Sequence, residues 1–98
     1  MRDHYFRPSI TVAAFRFTED AERTAPDWFV RMVKRGQIVI DTALMDGAAR
    51  VYGCTIDTPH GKIHAKNGEW ILYDEELGRH GLSVMAAELF KRYFMMVL

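Results

Sequence analysis

The chain has one cysteine, three prolines, no excess of either charge and no long apolar run. A lone Cys54 cannot close an internal disulfide, so packing alone must hold the fold, as suits a reducing compartment. No stretch nears the roughly 20 apolar residues that cross a bilayer, so no membrane partner is expected. Met1 to Pro8 is polar and aromatic without the apolar centre of a secretion signal, and a cytoplasmic protein is expected. Thirteen Lys and Arg balance thirteen Asp and Glu, with seven of each sign in residues 1–49 and six of each in 50–98. Nucleic-acid binding by counterion release needs clustered positive charge, so no direct nucleic-acid partner is expected, and a global acidic mimic is equally disfavoured. Zero net charge gives little repulsion between copies, which suits a homodimer or a standing protein partner. No Walker or dinucleotide glycine pattern, CxxC or HExxH is present, and neither a cofactor nor a metal is expected.

What is present suffices for one core. Ninety-eight residues, 49% of them hydrophobic, predict a single globular domain over 1–98, because two cores would each be too small. Residues 10–17 carry apolar groups on both alternating faces, which predicts a central strand covered on both sides. Thr24 is placed to cap a helix running to Arg35, with Pro26 in its first turn. Trp28, Phe29, Met32 and Val33 share its inner face, Arg31, Lys34 and Arg35 its outer face, and Gly36 ends it. Strands are predicted at 38–40, 51–57, 62–65 and 69–73. The turns between them, at Asp46-Gly47, Thr58-Pro59-His60-Gly61 and Lys66-Asn67-Gly68, are short enough to require antiparallel neighbours. Residues 74–81 read as a charged surface loop. Ser83 is placed to cap a second helix with Ala86, Leu89, Phe90, Tyr93, Phe94 and Val97 on its apolar stripe. The expected fold is α+β: a curled, mainly antiparallel sheet of about four to six strands with two helices packed on it.

Several segments in order carry a resemblance: the strand closing on Phe15-Arg16-Phe17-Thr18, the helix start Pro26-Asp27-Trp28-Phe29, the turn Thr58-Pro59-His60-Gly61, the strand Gly68-Glu69-Trp70-Ile71, and the closing Phe90 and Tyr93. Together they resemble a widespread family of small phage and prophage proteins of unknown function. The resemblance implies origin in a bacteriophage or integrated element and action in the bacterial host cytoplasm. It brings no established activity and no catalytic residues. Two departures fall after residue 73: the loop there is longer and acidic, with Gly81 followed by Leu82, and Phe90 and Tyr93 are spaced by three rather than four.

Chemistry in the sequence is sparse. Cys54 with His60, His64 or His80 would make a thiolate nucleophile and base, but Cys54 lies within an alternating strand, where a buried, inert cysteine is the ordinary outcome. His60 and His64 would stand roughly 13 Å apart on an extended strand at about 3.3 Å per residue, too far to share an ion. Asp74, Glu75 and Glu76 read as solvated carboxylates on a loop, yet opposite a basic groove they would steer a partner. Trp28, Trp70, Tyr73, Phe90 and Tyr93 belong by spacing to the core, whereas Met95 and Met96 interrupt the helical stripe and suit a partner surface. The expected function is therefore a non-enzymatic binding module that occupies and inhibits a host protein or complex, a CRISPR–Cas surveillance complex being the concrete form. Its contacts are expected at Asp74, Glu75, Glu76, Arg79, His80, Met95 and Met96. A nucleotide-signal sponge built on a homodimer, a minor virion component and a small cysteine/histidine enzyme are the alternatives.

Overall fold

The two faces of one strand decide the layering. In β2 (Ile10–Arg16), Val12 and Ala14 are buried on one side, Ala13 and Phe15 on the other. The first pair packs with Leu72, Phe90 and Phe94, and the second joins Phe17, Trp28, Phe29, Ile38, Ile56 and Ile71 in the larger cluster. β2 is thus covered on both faces, and it pairs with a strand on either side, as the sequence predicts. This computed structural model describes residues 4–7 and 10–96, with side chains from 12 to 94.

Antiparallel pairing builds the first sheet outward from β2 through β6 (Trp70–Tyr73), where Phe15 faces Ile71, to β7 (Leu82–Met85). On the other side the backbone of β1 (His4–Arg7) pairs with β2, and that of β8 (Met95–Met96) with β1. A second, three-stranded antiparallel sheet has the order β3 (Ile38–Met45), β4 (Ala48–Thr58), β5 (Gly61–Lys66). The fold is α+β, but the single curled sheet expected from the sequence is corrected to two separate sheets. Phe17 N–H donates to the Glu69 carbonyl (2.8 Å) and Gly68 N–H to the Phe17 carbonyl (2.7 Å). These bonds draw the chain after Lys66 onto β2, so the short turn hands it from one sheet to the other instead of folding it back on β5.

The first helix also begins later than predicted. The short α1 (Ala21–Thr24) fills the polar connection, and α2 (Asp27–Lys34) starts behind Pro26, so Thr24 ends one helix rather than capping the next. A residue before proline is driven out of helical backbone, and Ala25 is extended (ψ 143°). The end of α2 agrees with expectation. Gly36 N–H donates to the Val33 carbonyl and Gln37 N–H to the Met32 carbonyl, both at 3.0 Å, the paired bonds of a Schellman ending. Trp28, Phe29 and Met32 are buried, and Arg31, Lys34 and Arg35 are exposed.

Ser83 is a second correction. It lies inside β7 opposite Leu72, and α3 (Ala87–Tyr93) starts only after Ala86. Phe90 of α3 stacks on Trp70 with ring centroids 3.8 Å apart and planes within 5°, and stacks on Phe94 at 5.2 Å. Leu89 and Tyr93 of the expected stripe stay exposed.

The second sheet reaches further than its apolar runs suggested. β3 and β4 pair from Ile38–Ile56 to Met45–Ala48, closing on Asp46 (φ 52°) and Gly47 (φ 78°). Two positive φ values in a two-residue loop make the primed turn that Asp-Gly favours. β5 reaches only Gly53, so residues 42–51 form a two-stranded arm, in a molecule measuring 46 × 26 × 22 Å.

Candidate interaction site

Residues 74–81 are not a slack loop. Glu75–Gly81 winds as a 3-10 segment broken at Gly78. Asp74 organises it: its Oδ1 accepts from Glu76 N–H (3.1 Å), its carbonyl from Leu77 N–H (3.1 Å), and its own N–H donates to the Gly81 carbonyl (3.0 Å). A Cβ on Gly81 would run into the Asp74 backbone, so the closure requires glycine there. Of the acidic trio, Asp74 is thus the brace, and Glu75 and Glu76 are the carboxylates free to face a partner.

Between them and Arg79 stands Leu77, 56% exposed on a braced segment. It borders a depression of about 280 Å³ that also includes Val12, Leu72, Leu82 and Phe94. Arg79 lines a separate depression of about 360 Å³ with Arg35, Gln37 and Asp57. Two guanidinium-bearing residues and one carboxylate thus border this hollow, and the Gln37 amide nitrogen is buried without a hydrogen-bond partner. His80 meets His60 of the β4–β5 turn, with ring centroids 5.5 Å apart, and both are exposed. That turn is itself fixed, because Thr58 Oγ1 donates to the Gly61 carbonyl (2.7 Å) and accepts from His60 N–H (3.2 Å).

The fold therefore brings together Glu75, Glu76, Arg79 and His80 and adds Leu77, Arg35 and His60 from outside the predicted set. Met95 and Met96 lie apart on β8, where only their backbone pairing with Tyr5 and Phe6 is described. Leu77 stood in plain view within the acidic stretch, but exposure of one leucine has no sequence signature. Of the exposed hydrophobic residues, Leu44 and Met45 stand on the arm beside the Asp-Gly turn, which was the available signal, and Val39 and Tyr52 stand just outside it.

The rival chemistries separate in the same geometry. Cys54 is 1% exposed, opposite Ile40 and Ala65, and burial, with the nearby Asp41 charge adding, pushes its thiol up to about 12. A thiol so held is not a thiolate nucleophile near neutral pH. Thr55 Oγ1 donates to Asp41 Oδ2 (2.8 Å) and lies 3.1 Å from His64 Nδ1. The His60 ring packs against His80. Among the described residues no three His, Cys, Asp or Glu gather as metal ligands, and no helix is long and apolar enough to cross a membrane. No family model, curated protein or solved structure matches the chain.

Proposed function

We propose that this chain is a protein-binding module that occupies and inhibits a host protein, acting in the bacterial cytoplasm as a phage accessory protein would. A host-defence assembly such as a CRISPR–Cas surveillance complex is the partner class. The observation that carries the reading is Leu77, an exposed apolar anchor held on a braced 3-10 turn between two free carboxylates and Arg79. An apolar side chain presented in fixed geometry loses little freedom on docking, and the surrounding charges select the partner. The complementary surface is an apolar pocket rimmed by Lys or Arg.

Affinity capture from host lysate tests this with wild type and Glu75→Lys/Glu76→Lys, leaving the brace Asp74 intact. Wild type retains a discrete host protein and the charge-reversed variant loses it. Equal retention by both, or no protein retained by either, contradicts the reading.

A further inference from the structure

The arm carries a second surface, separate from Glu75–Leu77. β3 ends its sheet's order, and its sequence Ile38-Val39-Ile40-Asp41-Thr42-Ala43-Leu44-Met45 has neither a proline, a lysine nor an extra residue of its own to blunt the edge; its one charge, Asp41, accepts a hydrogen bond from Thr55 Oγ1 of β4. The irregularity between the paired strands leaves Tyr52 of β4 as the extra residue, so β3 itself runs unbroken. Asp57 N–H donates to the Gln37 carbonyl (2.9 Å), which puts Gln37 in the set bonded toward β4. Alternation then gives residues 39, 41, 43 and 45 to β4 and turns the backbone groups of Ile40, Thr42 and Leu44 to the open edge. The two-residue Asp46-Gly47 turn, closed by the Met45–Ala48 pair, agrees with that parity.

We propose that β3 pairs antiparallel with β3 of a second copy about a two-fold axis at Thr42. Three features select this occupant and register. Ile40 meets the second copy's Leu44, and since paired side chains share a face, the 80% exposed Leu44 comes to the apolar hollow of Ala25, Val30, Val33 and Ile40. On the opposite face Val39, 53% exposed, meets the exposed Met45 of the second copy. Asp46 of the second copy arrives across from Ile38, at the basic end of α2 marked by Lys34 and Arg35. Slipping the axis to Asp41 would set two like charges opposite one another, and slipping it to Ala43 would face Ile40 with Asp46. Only the Thr42 register gives each exposed apolar residue of β3 an apolar neighbour, while zero net charge leaves the two copies without long-range repulsion.

Light scattering on a sizing column reads the state directly. Wild type at tens of micromolar elutes at twice the 11.3 kDa chain mass, and Leu44→Glu returns it to one chain mass with an unchanged circular dichroism spectrum. Thr42→Cys reads the register: paired residues in this geometry stand about 5.5 Å apart at Cα, within disulfide reach, and the native Cys54 is buried. Under mild oxidant Thr42→Cys forms a covalent dimer, whereas the exposed Ser83→Cys does not. A monomeric wild type, a dimer indifferent to Leu44→Glu, or equal crosslinking at positions 42 and 83 each overturns the proposal. Wild type and Leu44→Glu that capture a host protein equally show that the two surfaces act separately, so failure of this pairing leaves the loop reading to its own test.

Discussion

Cys54 gives the most quantitative prediction at the scale of one residue. Its folded thiol ionises near 12 against an ordinary value of 9.0, because the buried site disfavours the thiolate. The stability tied to the neutral thiol is fully present below pH 9 and is lost as pH rises toward 12, at about 1.4 kcal/mol per unit at most. In urea titrations, the advantage of wild type over Cys54→Ala therefore narrows as pH increases above 9; a gap that stays constant contradicts this. A thiol reagent at pH 8 reacts with Cys54 only after denaturant is added. Gly81→Ala makes a second test at this scale: its methyl meets the Asp74 backbone, so unfolding free energy falls by roughly 1–3 kcal/mol and partner capture weakens with it. Alternation made Cys54's burial legible in the sequence, whereas Asp74's role as brace was hidden, because a capping carboxylate and a solvated one look the same on an acidic run.

At the scale of the element, α3 contrasts two neighbours. Phe90 is buried and stacked between Trp70 and Phe94, whereas Leu89 beside it is 45% exposed. Phe90→Ala costs about 3–5 kcal/mol, and Leu89→Ala changes stability by less than about 0.5 kcal/mol, as read by denaturant midpoint at constant slope. Equal losses at the two positions would place α3 differently. The three-and-four spacing identified α3 in the sequence, but its cap was placed at Ser83, inside β7. Leu82 and Val84 alternate toward one cluster and Met85 toward the other, and four residues are too few to separate period two from period 3.6. The strand predicted at 69–73 does alternate: Trp70 and Leu72 join one cluster, Ile71 and Tyr73 the other. The arm was underread because Ala43, Ala48 and Ala49 around the Asp-Gly turn carry weak strand signal, while the pairing of β3 with β4 extends through them.

For the whole molecule, a neutral total resolves into local features: carboxylates on the 3-10 turn, basic groups at the end of α2, and an apolar arm whose turn carries Asp46. Two sheets in place of one follow from long-range bonds between Phe17 and residues 68 and 69, which no local pattern announces. Leu77 on its braced turn is the anchor of the proposed protein interface. Calorimetric titration of the captured host protein tests it with wild type, Leu77→Ala and Leu89→Ala, two leucines of similar exposure on different surfaces. Leu77→Ala weakens binding by roughly tenfold or more, as loss of an interface anchor does, and Leu89→Ala binds like wild type. Equal affinities for all three proteins, or equal losses in the two variants, would contradict the account.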